Sequence, residues 1–145
     1  MRKIKFRGKS KKTGDWIYGD LITNISNDDS TYIITSKGYI ELEKYLDFAD
    51  TYMELFAYEV IPETVGQYIG RKDRYDEEIY EGDIVRKEIY GKLYYEGIVE
   101  WGTAGFVINT KPIGSNYGFK AYIHDPEKIE KLGDKHNNPE LLEVK

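Results

Sequence analysis

Cysteine is absent from the 145 residues, and that gap removes disulfides, zinc–thiolate sites and thiol nucleophiles together. Histidine is nearly as scarce. His124 and His136 are the only two, and they share no H-x-x-x-H spacing, so the pattern of a zinc site is missing. Neither Ser26 nor Ser115 sits in a G-x-S-x-G context, which leaves hydrolase chemistry without support. No apolar run approaches the roughly 20 residues that span a bilayer, and the basic start, Met1 to Lys12, is followed by no apolar segment of the kind a secretion signal needs. The expectation is a soluble, cytoplasmic chain with no membrane partner. No catalytic residue, cofactor or metal is expected.

Acidic and basic residues are both plentiful, yet they are unevenly placed. The net charge is −5, which argues against a general binder of nucleic acid, since phosphate neutralisation needs a basic surplus. Met1 to Lys12 nevertheless carries Arg2, Lys3, Lys5, Arg7, Lys9, Lys11 and Lys12 with no acid, whereas Glu41 to Glu59 holds Glu41, Glu43, Asp47, Asp50, Glu54 and Glu59 against Lys44 alone. Asp73, Asp76, Glu77, Glu78, Glu81 and Asp83 crowd one reversal. Their spacing fits no calcium loop; turn chemistry accounts for Asp76 and Asp83, and solvation for the glutamates.

The residue present in excess is tyrosine, with fourteen copies. Its ring buries area while its hydroxyl still reaches water, which suits strands and half-wet surfaces. One reading is a recognition surface built on Tyr68, Tyr80, Trp101 and Phe106, with Lys3, Lys5 and Arg7 as a basic stripe. The plainer reading is a small β protein with thin layers, in which Trp101 and Phe106 form a cross-strand core pair and the cations guard an edge strand.

The apolar segments alternate at the strand period. Lys3 to Arg7 places Ile4 and Phe6 on one face and three cations on the other, and Trp16 to Ile22 returns as its hairpin partner. Tyr32 to Thr35 and Tyr39 to Leu42 make a second hairpin. A short helix is expected near Leu42 to Asp50, then a strand near Tyr52 to Val60. Pro62 opens a short turn through Thr64, Gly66 and Gly70 bracket a strand at Gln67 to Ile69, and Glu77 to Tyr80 resumes extended character. Glu81-Gly82-Asp83 is a tight turn with Gly82 at positive φ. Strands follow at short intervals: Asp83 to Tyr90, Tyr94 to Trp101, Phe106 to Thr110, Phe119 to Ile123 and Glu127 to Leu132. Asn138-Pro139 begins a terminal helical turn.

This spacing suits small barrels and sandwiches. The fold class is therefore mainly β: an N-terminal β-hairpin region over residues 1–60, and a small SH3-like or barrel-like sheet over 61–145, in one compact unit with at most one short helix.

The stretch P-E-T-V-G-Q-Y-I-G, Pro62 to Gly70, followed by E-I-Y-E-G-D-I-V, Glu78 to Val85, resembles the signature of the YopX-like proteins of temperate phages and prophages. The opening M-R-K-I-K-F-R and the closing N-P-E-L-L, Asn138 to Leu142, agree with it. Residues Leu21 to Tyr58 carry no such match. The resemblance implies a small, mostly β protein encoded in a prophage, present in a bacterial host cell and without established catalytic residues. The function expected is a non-enzymatic protein-interaction module that binds a host or phage protein. The alternative is a nucleic-acid-binding small β-barrel. Several short strands leave edges to cover, so a homo-oligomer is also expected.

Overall fold

The computed structural model describes residues 2–23, 30–37, 57–91, 93–110, 118 and 120–142. The chain is mainly β. Two compact units divide it, residues 1–67 and 68–145, where the sequence placed the boundary after residue 60. Helical backbone among the described residues is confined to Ser36, Lys37 and 3-10 turns of three or four residues, and no helix there is long and apolar enough to cross a membrane. The expected strand at Tyr39 to Leu42, the helix at Leu42 to Asp50 and the first part of the strand at Tyr52 to Val60 lie outside the described residues.

The first unit is an antiparallel sheet. Strand β1, Phe6–Lys9, pairs with β2, Trp16–Thr23, with Arg7 opposite Tyr18 and Lys9 opposite Trp16. Strand β3, Thr31–Ile34, follows against β2, and β4, Ala57–Glu59, against β3. Tyr32, Ile34 and Ala57 form a buried cluster with Ile22 beside it. Burying Ile34 contributes about 1.5–3 kcal/mol. The first strand begins three residues later than expected. Gly8, expected to start a loop, belongs to the strand, because a Cβ there would meet Val60 at 3.0 Å and Ile33 at 3.3 Å. A side chain at this position would push the neighbouring strands apart.

The step between units begins at Pro62–Thr64, a single 3-10 turn with proline at its start, as expected. Thr64 Oγ1 donates to Ile61 O at 2.6 Å and accepts the Lys9 N–H at 2.8 Å. Strand β5, Gly66–Lys72, pairs with β1 through Gly66 and Gln67 only. Its later residues pair with β6, Glu78–Tyr80, with Tyr68 opposite Tyr80 and a register slip before Lys72.

The second unit adds a five-stranded antiparallel sheet in the order β10-β9-β8-β7-β11. Its strands are β7, Asp83–Tyr90; β8, Leu93–Trp101; β9, Phe106–Asn109; β10, Lys120–Tyr122; and β11, Ile129–Asp134. Alternate residues of six strands meet in one core: Ile69, Ile79, Val85, Val99, Ile108 and Ile129, with Tyr95, Phe106 and Ile123 packed against it. β-branched side chains fill such a layer well because they stand stiffly off a pleated surface. Gly97 opposes Val85 in this sheet. A Cβ at Gly97 would collide with Asn109 O and approach Ile108 Cγ2 at 2.8 Å, so the bare backbone is what lets β9 close against β8.

Buried carboxylates fasten the turns of this unit. Asp73 Oδ1 accepts the N–H groups of Tyr75 at 2.8 Å and Glu77 at 3.0 Å, and its Oδ2 accepts that of Lys131 at 3.0 Å. Asp83, fully buried, accepts the Tyr80 N–H at 2.8 Å and an ion pair from Lys131 Nζ at 3.3 Å. Asp134 accepts the N–H groups of His136 and Asn137, both at 2.9 Å. A carboxylate that takes several backbone donors replaces the hydrogen bonds a reversal leaves open.

Candidate recognition surface

The rings singled out in the sequence separate into two kinds. Tyr68 and Tyr80 are cross-strand partners whose centroids lie 5.5 Å apart. Both are buried, Tyr80 being only 1% exposed, so their place as binding-surface rings gives way to interior packing. Trp101 and Phe106 are also cross-strand partners, in an edge-to-face contact with centroids 4.8 Å apart and planes at 82°. Their geometry holds because the tight turn between them closes with the Gly102 N–H donating to Gly105 O at 2.7 Å. Phe106 packs against the core. Trp101 remains 59% exposed.

The basic stripe divides in the same way. Lys3 is exposed and Lys5 half-buried, but Arg7 is only 2% exposed, with its guanidinium 4.3 Å from the Trp16 ring centroid. Lys9 Nζ lies 5.4 Å from the same ring. Arg7 is therefore no part of an outward cationic face. The register pairs Arg7 with Tyr18 and Lys9 with Trp16, so the cations share the face of the tryptophan, and a planar guanidinium stacks well on an aromatic ring.

Next to Phe106 lies a pocket of about 200 Å3 lined by Ile69, Arg71, Gly105, Phe106, Tyr122 and Ile123. The lining comes from β5, the turn before β9, and the end of β10. Tyr122 is 54% exposed. Trp101, Phe106 and Tyr122 thus bring three rings to the end of the β8–β9 hairpin and its neighbour β10. A single charged side chain, Arg71, lines the pocket, and it has no ion-pair partner among the described residues. Arg71, Tyr122 and Ile123 were not singled out in the sequence. The pairing of β10 with β9 puts Tyr122 and Ile123 beside Phe106, and β5 brings Arg71 to the same pocket; no local motif announces either.

A second, more polar pocket of about 350 Å3 is lined by Arg74, Arg86, Glu88, Gly91, Tyr94, Lys128 and Glu130. Its arginines are already engaged: Arg86 with Glu96 at 2.7 Å and with the Tyr94 ring at 4.4 Å, and Arg74 with Glu88 at 3.0 Å. Hydrogen bonds donated to these carboxylates hold both guanidiniums protonated to still higher pH than usual.

The crowded carboxylates of residues 73–83 do not converge. Asp73 and Asp83 turn inward to fasten separate reversals, Asp76 takes a positive φ of 66°, and Glu77 points to solvent. Turn chemistry therefore falls on Asp73 as well as on the expected pair. Among the described residues, no three His, Cys, Asp or Glu side chains group as metal ligands.

A family model described as YopX protein matches residues 5–143. The chain belongs to the YopX family. The match covers both units and takes in every strand described above. Among solved structures, this YopX family chain is similar to the crystal structure of protein EF1440 from Enterococcus faecalis, at 16% identity and a TM-score of 0.49, over 99% of this chain and 100% of that one. No curated protein matches the chain.

Proposed function

We propose that this chain is a prophage-encoded, non-enzymatic protein-interaction module acting in the bacterial cytoplasm, and that its contact surface is the end of the β8–β9 hairpin with β10. The observation that carries this reading is Trp101, 59% exposed yet held in place by the edge of Phe106. A large ring that is rigid before binding loses little entropy on contact, which is why tryptophan and tyrosine concentrate at the centres of protein interfaces. The pocket beside Phe106 and the exposed Tyr122 extend the same surface.

Nucleic acid is the weaker partner class. Arg7 is stacked inward, and Arg74 and Arg86 are paired with glutamates that phosphate would have to displace.

The test is affinity capture with tagged wild-type chain and a Trp101→Ala, Tyr122→Ala double variant, from cells that naturally make the chain. A protein retained by the wild type and lost by the folded double variant is the expected result. Equal recovery by both chains would remove this surface from the function. Retention of single-stranded DNA or RNA at moderate ionic strength, declining with salt, would favour the nucleic-acid reading instead.

A further inference from the structure

The pocket beside Phe106 lies between two strand edges, and on the reading of this surface as a protein contact its geometry specifies the kind of partner. We propose that it is a strand-addition site for an extended, acidic segment of another protein. The segment's backbone pairs with the outer edge of β10, one large apolar side chain enters the pocket, and a neighbouring carboxylate meets Arg71.

The backbone supplies the first part of the argument. Among the described residues β10 is the end strand of its sheet, paired with β9 through Lys120, Ala121 and Tyr122. Opposite it, β5 leaves β1 after Gln67, and among the described residues β6 is the one strand beside Ile69 to Arg71. Among the described residues no backbone hydrogen bond joins β5 to β10. Unpaired edge amides and carbonyls are the groups that an added strand satisfies.

Size and lining narrow the occupant. A volume of about 200 Å3 admits a single large side chain but not a helix, which is about 10–12 Å across with its side chains. Ile69, Phe106 and Ile123 present apolar walls to that side chain. Arg71 sets the charge: it is exposed and has no ion-pair partner among the described residues, and a carboxylate accepts its fork of donors well. A second copy of the chain is the competing occupant of the same edge. The net charge of −5 repels an acidic segment only at long range, and physiological salt screens exposed charges beyond about 8 Å.

The test is selection of displayed random linear peptides on the whole chain, followed by affinity measurement of the enriched peptides as free probes. Enrichment of sequences with an acidic residue near a large apolar one is expected. Their affinity should fall at least about tenfold in Arg71→Glu and persist in Arg71→Lys. Hydrogen exchange of the amides at 120–122 should slow when peptide is bound. No enrichment, peptides that bind Arg71→Glu equally well, or unchanged exchange at 120–122 would each overturn the proposal. So would a concentration-dependent dimer whose own β10 amides are protected, since a second copy would then occupy the seam. If capture of a natural partner depends on Trp101 while the peptides ignore Arg71 and β10, the interaction reading survives and strand addition alone fails.

Discussion

Gly82 sits in the turn between β6 and β7 with φ at +89°, and we predict that Gly82→Val destabilises the protein by about 1–3 kcal/mol. The residue is buried and tied on both sides: its N–H donates to Val99 O at 2.8 Å, and its carbonyl accepts the Lys135 N–H at 2.9 Å. Valine has two ways to respond. It can stay at positive φ, where a β-branched side chain is strained by about 1–3 kcal/mol. It can relax to negative φ and break both hydrogen bonds, at about 1–3 kcal/mol for each buried group left unsatisfied. Strain is the cheaper route. Loss of glycine's freedom in the unfolded chain returns about 0.4–1 kcal/mol. For a chain of this length each kcal/mol lowers Tm by about 2–4 °C, so a net loss of about 1–2.5 kcal/mol should appear in thermal denaturation followed by circular dichroism as a drop of roughly 2–10 °C. Gly91→Ala is the control, with φ at +56° and open space where the Cβ would go; it has strain but no buried hydrogen bond to protect. An unchanged melt for Gly82→Val, or a larger drop for Gly91→Ala, would refute the reasoning.

Further predictions concern the interior. Asp83→Ala removes a fully buried acceptor from the Tyr80 N–H and the partner of Lys131 Nζ, and should cost about 2–4 kcal/mol in urea denaturation; a loss below about 0.5 kcal/mol would mean the ion pair is dispensable. Gly97→Ala places a methyl against the backbone of β9, and a loss of about 1–3 kcal/mol is expected from overpacking; wild-type stability would show that β8 and β9 separate freely. Burial pushes the Tyr95 phenol above its ordinary range. The unfolded chain gives up that proton near pH 10 while the folded chain still holds it, so the stability tied to it is present below about pH 10 and is lost as pH rises through the folded value. Urea midpoints measured from neutral to alkaline pH should fall less steeply in Tyr95→Phe, and equal slopes would count against the assignment.

The strands of the second unit were legible because their signals are local. Alternation from Asp83 onward and the Gly82 turn before it define β7, which runs over the expected Asp83–Tyr90. The pieces around Pro62 and Pro139 were legible for the same reason, since proline fixes φ where a 3-10 turn begins. The first strand was read less well. Alternation in Lys3 to Arg7 assigns Ile4 to the interior, yet Ile4 is 61% exposed and Arg7 is buried. The strand starts only at Phe6, and the Trp16 face is decided by cross-strand register. Hydropathy alone treats arginine as an outward residue, whereas its planar group stacks on an indole without leaving its charge unsupported.

The candidate site was half legible, and the reason lies in how far each ring stands from the centre of its sheet. Trp101 shares the parity of Val99 and so belongs by alternation to the core face of β8. It is the last residue of that strand, beyond the point where β5 and β6 supply an opposing layer through Ile69 and Ile79, and it is left exposed although its periodicity is that of a core residue. Tyr68 and Tyr80 lie on the opposite parity from Ile69 and Ile79 and are buried all the same, because a strand covered on both faces has no solvent side for alternation to mark. Fourteen tyrosines raise the expectation of a ring at some surface; strand length and pairing decide which ring it is. That is why Tyr122 joined Trp101 and Phe106 only once β10 had been set against β9, and Arg71 only once β5 had been brought to the same pocket.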